Sequence, residues 1–124
     1  MLKKVAFTVY PVENLQRAVN FYKSNLGIEP SKTSAQGEWV EYDLPGGGCF
    51  AITTLAKSKK PDPNAGGTIA FEVDDLEKLA TKLKSNNVTF KLDIFSSPVC
   101  RMAVILDSEG NAIALHQLHE NGVQ

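Results

Sequence analysis

Two cysteines in 124 residues, Cys49 and Cys100, are too few for a disulfide framework, and no CxxC-type spacing marks a metal site. Each stands near the start of an apolar run and reads as a small buried hydrophobe. Excess charge is also missing: the formal net charge is −1, which argues against a nucleic-acid or anionic-membrane surface. The only local basic cluster, Lys57, Lys59 and Lys60, reads as a solvated linker. No apolar run approaches the ~18 residues of a membrane span, and the N-terminus lacks the apolar stretch of a secretory signal, so a cytoplasmic protein is expected. Gly46-Gly47-Gly48 lacks the Lys-Ser/Thr of a phosphate-binding loop and reads as a hairpin turn; no GxGxxG or GxSxG segment is present.

What is present is a repeat. Val12 with Val73, Leu15 with Leu76, and Lys23-Ser24-Asn25 with Lys84-Ser85-Asn86 align at one offset, sixty-one residues (76 − 15). A single duplication is too short for a solenoid, which needs about three units to bury its faces. The chain therefore holds two copies of one supersecondary unit that bury each other, and a cavity is expected at the seam.

Periodicity and punctuation define the unit. Lys4 to Tyr10 reads as a strand ended with the help of Pro11, and Asn14 as the cap of a helix to about Asn25, with Gly27 as its stop. Trp39 to Leu44 and Cys49 to Thr54 read as a hairpin. In the second copy Thr68 to Val73 is a strand, Asp75 a cap and Leu76 to Asn86 a helix. Val88 to Ile94 reads as a strand, with a weaker counterpart around Glu29 to Ser34; Arg101 to Leu106 turns into Ala112 to Gln117. The expected fold is α+β: two βαβββ modules, 1–54 and 68–119, joined by a linker over 55–67 and forming curved mixed sheets around a cleft.

Three segments carry a family resemblance. Asn14, Leu15, Gln16, Arg17, Ala18, Phe21, Tyr22, Leu26 and Gly27 resemble the first helix of the vicinal oxygen chelate superfamily, the glyoxalase, bleomycin-resistance and dioxygenase group. The run Thr68 to Leu76 resembles the opening of its second module, and Asp107-Ser108-Glu109-Gly110-Asn111 with Ile113 and Leu115 its terminal hairpin. The resemblance implies a divalent-metal position on the first and last strands of each module. Those positions fall at Phe7 and Thr68 (14 − 7; 75 − 7), at Ala114, and, with one residue of slippage, at Ile52. Metal sites need imidazole, carboxylate or thiolate donors, so no metal and no other cofactor is expected.

Strand alternation places the remaining candidates. Phe7 and Val9, Trp39, Glu41 and Asp43, and Thr68, Ala70 and Glu72 are expected to face inward; Arg101, Ala103 and Ile105 are expected to do likewise. His116 shares a face with Ala112 and Ala114 and is the candidate catalytic residue; His119 lies beyond the strand, where fraying is expected. The candidate ligand-binding residues are Phe7, Trp39, Glu41, Phe50, Thr68, Glu72, Arg101 and His116. Arg101 clamps an anion or pairs with Glu41 or Glu72, and Trp39 stacks on a planar or cationic ligand or belongs to the core.

The function expected from these residues is metal-independent small-molecule binding, resembling the bleomycin-resistance branch. A glyoxalase-like lyase or isomerase using His116 with Glu41 or Glu72 is the enzymatic alternative, and a noncatalytic interaction or regulatory domain the third. The expected partners are a small-molecule ligand and a second copy in a homodimer, with no nucleic acid and no membrane.

Overall fold

In the computed structural model, residues 1, 5–57, 59–65 and 68–119 are described. Lys4, where the first strand was expected to begin, lies outside them. The chain divides into two compact units, Met1–Pro61 and Asp62–Gln124. Among the described residues each has one α-helix and one four-stranded mixed sheet, as the α+β expectation required. No helix among the described residues is long and apolar enough to cross a membrane.

In the first unit β1 (Thr8–Pro11), β2 (Lys32–Ser34), β3 (Trp39–Asp43) and β4 (Cys49–Thr53) form a sheet of order β1-β4-β3-β2, with β1 parallel to β4. Pro11 is tolerated as the last residue of β1 because β1 is an edge strand. The ladder continues through Val12, whose N–H donates to the Thr53 carbonyl at 2.9 Å. Helix α1 (Leu15–Leu26) starts where the Asn14 side chain accepts from Arg17 N–H and stops at Gly27, whose φ of 70° is left-handed. It packs an aromatic core: Tyr22 lies 5.8 Å from Tyr42 and 5.2 Å from Phe50, ring centre to ring centre.

In the second unit β5 (Ile69–Glu72), β6 (Phe90–Ser96), β7 (Cys100–Leu106) and β8 (Ala112–Leu118) form the order β5-β8-β7-β6, with β5 parallel to β8. Helix α2 (Leu76–Ser85) is capped by Asp75, which accepts from Lys78 N–H. Its core is aliphatic, built from Leu76, Leu83, Ile105, Ile113 and Leu115, all fully buried.

β6 begins two residues later than expected because the exit from α2 uses Asn87 and Val88. Asn87 takes a φ of 61°, and Val88 N–H donates back to Leu83. Its counterpart β2 shrinks to Lys32–Ser34.

The two hairpin turns are built differently. Between β3 and β4, Gly47 and Gly48 take φ values of 104° and 91°, which only glycine adopts cheaply. Between β7 and β8 the buried Asp107 carboxylate accepts from the N–H groups of Glu109 and Asn111 and from the Asn111 side-chain amide.

Candidate functional site

Each sheet has a helix-covered face and a helix-free face, and register decides which residues lie on which. In the first unit Thr8 pairs with Phe50, Tyr10 and Val40 with Ile52, and Tyr42 with Phe50; this set shares one face, on which Tyr42 and Phe50 pack against Tyr22 of α1. Val9, Ala51, Trp39, Glu41 and Cys49 therefore occupy the helix-free face, as does Phe7 by alternation and contact. There the Phe7 and Trp39 rings meet edge to face at 5.2 Å. The Trp39 indole N–H donates to the Glu41 carboxylate at 2.7 Å. Trp39 and Glu41 are half-buried, while Phe7 and Val9 stay 43% and 38% exposed, so the three apolar side chains form a small patch beside a carboxylate.

The Cys49 thiol also contacts Glu41, at 3.9 Å. Burial, and then the neighbouring charges of Glu41 and Asp43, push its pKa up, which disfavours the thiolate a nucleophile needs. Cys49 is half-buried rather than fully buried, whereas Cys100 is buried as expected, with its sulfur 3.3 Å from Ser97 Oγ.

In the second unit Ala70 pairs with Ala114, and Glu72 with His116, which is also opposite Met102. These residues share the helix-free face, as anticipated for Ala70, Glu72, Ala114 and His116. Thr68 directly precedes β5, is exposed, and falls on the same face by alternation. His116 Nδ1 lies 2.5 Å from Glu72 Oε1, and the other carboxylate oxygen accepts from Leu118 N–H at 2.9 Å. Partial burial opposes ionisation of Glu72. The hydrogen bond and charge of His116 and the Leu118 N–H outweigh it and hold the carboxyl below the usual carboxylate range. His119 is not frayed: its N–H donates to Val99 and its ring nitrogen meets the Ser97 carbonyl at 2.9 Å.

Five expected positions move. Phe50 is 2% exposed and sits in the aromatic core between Tyr10, Tyr22 and Tyr42, not on the helix-free face. Ile52 is likewise buried on the helix side, so the position equivalent to Ala114 is Ala51. Arg101 pairs with Gln117 and forms an ion pair with Glu77 of α2, neither with Glu41 nor with Glu72. Ala103 and Ile105 follow it onto the helix side, both fully buried.

One cause explains the Ile52 and Arg101 shifts. The repeat offset is sixty-one at β1 and β5 (70 − 9) but sixty-three by β4 and β8 (114 − 51), because the second copy is two residues longer before its hairpin. Trp39 is thus equivalent to Met102, not Arg101 (102 − 39 = 63). A one-residue error in strand register sends every side chain to the opposite face. Residues that sequence reasoning missed on the helix-free faces follow from this: Cys49 and Ala51 in the first unit, Met102 and Val104 in the second. Leu92 and Phe95 of β6, opposite Val104 and Met102, join them at 52% and 46% exposure. Aligning Gly110 with Gly47 gives the offset of sixty-three (110 − 47), but Gly46 and Gly48 give sixty-four and sixty-two, so the glycine turns alone do not fix the register.

The metal positions implied by the resemblance now read Phe7, Ala51, Thr68 and Ala114. A phenyl ring and two methyl groups offer no lone pair, and a single hydroxyl is a poor divalent-metal ligand. Among the described residues no group of three or more His, Cys, Asp or Glu side chains is placed to hold a metal ion. The donor set at these positions does not fit a divalent metal.

Comparison with known proteins agrees on architecture. TnmS3, an antibiotic binding protein from Streptomyces sp. CB03234, superposes with a TM-score of 0.79 at 21% identity, over 95% of this chain and 98% of its own. A glyoxylase/bleomycin resistance protein/dioxygenase domain from Frankia sp. EAN1pec gives 0.75 at 17% identity, over 98% and 96% of the two chains. A lactoylglutathione lyase from Agrobacterium tumefaciens gives 0.71 at 18% identity, over 94% of each. No protein of curated function matches the sequence. The Glyoxalase/Bleomycin resistance protein/Dioxygenase superfamily model matches residues 4–115. With nearly the whole length matched, and with both βαβββ units formed, the chain belongs to the Glyoxalase/Bleomycin resistance protein/Dioxygenase superfamily.

Proposed function

We propose that this protein binds a small organic molecule without the help of a divalent metal. The observation that carries this reading is the replacement at Phe7. Where the resemblance puts a metal ligand, an aromatic ring instead meets Trp39 edge to face and leaves apolar surface exposed beside the Glu41 carboxylate. Aromatic walls with a few fixed polar groups are what small-molecule sites are made of. The antibiotic-binding description of TnmS3 supports the same reading. Native mass spectrometry with elemental analysis, followed by calorimetry against a panel of aromatic compounds, tests it. Saturable binding unaffected by a chelator, and weakened at least about tenfold by Trp39→Ala, is expected. A stoichiometric bound metal, or a panel without any ligand, would overturn it.

The Glu72–His116 hydrogen bond favours a second reading, a glyoxalase-like lyase or isomerase in which His116 acts as base. Turnover that survives chelation and disappears in His116→Ala would establish it; no turnover across a broad panel would remove it. A homodimer and a cytoplasmic location belong to the binding reading as well, and light scattering at several concentrations tests the first.

A further inference from the structure

The helix-free face of the second unit carries a polar device that the binding of an apolar ring does not need. Glu72 and His116 stand side by side on the parallel pair β5–β8, with Nδ1 and Oε1 2.5 Å apart. An ionised carboxylate only accepts hydrogen bonds, so the proton between them belongs to Nδ1. The carboxylate is held at its other oxygen as well, which accepts from Leu118 N–H at 2.9 Å. This arrangement fixes the ring's orientation and its tautomer. His116 Nε2, the nitrogen left with a lone pair, makes no hydrogen bond to any described residue. Its neighbours on the same face are apolar: Ala114 two residues before it, Ala70 beside Ala114, and the longer Met102 opposite. Ala114 is buried but Ala70 is exposed, and a flat ring lying on Ala70 would bring a hydroxyl at its edge toward Nε2.

We propose that Glu72 and His116 form a hydrogen-bond-accepting subsite for an acidic hydroxyl group, a phenol or an enol, carried by a planar ligand. This deepens the binding reading above and rests on it. The ligand O–H donates to Nε2. Where the hydroxyl is acidic enough, its proton moves to Nε2, leaving a bound phenolate beside an imidazolium that Glu72 neutralises; no other bond forms or breaks. Glu72 is a positioning residue here, acting only through His116.

Two probes of the same shape separate recognition of the hydroxyl from simple apolar contact: 4-nitrophenol and its methyl ether, 4-nitroanisole. The wild-type protein is expected to bind the phenol about tenfold more tightly than the ether, since a hydrogen bond to a charge-assisted acceptor contributes roughly 1.5 kcal/mol. His116→Gln should abolish the preference, and Glu72→Gln should reduce it. Nitrogen-15 spectra of the wild type give a readout independent of any variant: the neutral His116 ring should carry its proton on Nδ1, and Nε2 should shift when 4-nitrophenol is added. A proton on Nε2 in the free protein, equal affinity for the two probes, or an undiminished preference in His116→Gln would each overturn the proposal. If the probes bind equally, or fail while other aromatic compounds bind, the subsite falls and the broader binding reading stands; if no aromatic compound binds, both fall.

Discussion

The two units share strand order and helix position but fill their cores with different chemistry. The first packs Tyr10, Tyr22, Tyr42 and Phe50 against one another; the second packs Leu76, Leu83, Ile105, Ile113 and Leu115. The same topology is therefore satisfied by few large flat rings or by many branched side chains, provided the face pattern and total volume agree. The aromatic solution has a flaw that the aliphatic one avoids. The Tyr42 hydroxyl is buried with no hydrogen-bond partner among the described residues, and burial pushes its pKa up to about 12. The helix-free faces diverge as well, with aromatic rings at Phe7 and Trp39 in one and a carboxylate–imidazole pair in the other.

Substitutions at matched positions should break this comparison most strongly in the cores. Tyr22→Ala is expected to destabilise the protein by about 4 kcal/mol and Leu83→Ala by about 3 kcal/mol, read from urea unfolding, because larger rings leave larger cavities. If the units unfold separately, only one of two transitions should move in each variant. Tyr42→Phe should act in the opposite direction, raising stability by about 1 kcal/mol through removal of a desolvated hydroxyl; a loss of stability would mean that hydroxyl has a partner. The helix caps offer an internal control. Asn14→Ala and Asp75→Ala should each cost about 1 kcal/mol, since both side chains accept from the third residue onward.

The smallest effect is the pH dependence of Glu72. Its folded carboxyl sits below the unfolded range, so the stabilisation is complete above the unfolded pKa of about 4.3 and is lost as pH falls through the folded value. The difference in melting temperature between wild type and Glu72→Gln should therefore narrow as the pH is lowered beneath about 4.3. A constant difference would show that the carboxylate charge contributes nothing.

Local signals in the sequence were sufficient for most elements. Asn14 and Asp75 mark helix starts, Gly27 marks a stop, and the 46–48 glycines mark a turn; each acts through backbone geometry within a few residues. The faces of β1 and β5 followed from the first-strand positions that the family resemblance implies at Phe7 and Thr68, and that of β3 from its repeat equivalence with β7; composition alone does not reveal them, since β1 reads Thr8-Val9-Tyr10-Pro11. The faces of Arg101 and Ile52 were not legible, because β4 and β7 are buried or half-buried on both faces and their composition does not reveal orientation. Only the pairing partners decide it, and those depend on a two-residue insertion upstream. The Glu72–His116 hydrogen bond joins residues forty-four positions apart, so sequence could place both on one face but could not show that they touch.

The Asp107 turn has a kinetic consequence. A turn whose carboxylate already organises two backbone N–H groups within four residues closes with little loss of chain entropy, and the seven-residue strands on either side can then pair from that end. The glycine-rich turn between β3 and β4 has more unfolded conformations to abandon before its five-residue strands meet. The β7–β8 hairpin is accordingly expected to form first during folding: Asp107→Ala should slow refolding, whereas Gly47→Ala should chiefly speed unfolding. Two copies of one unit, nearly identical in final topology, would thus be reached along different routes.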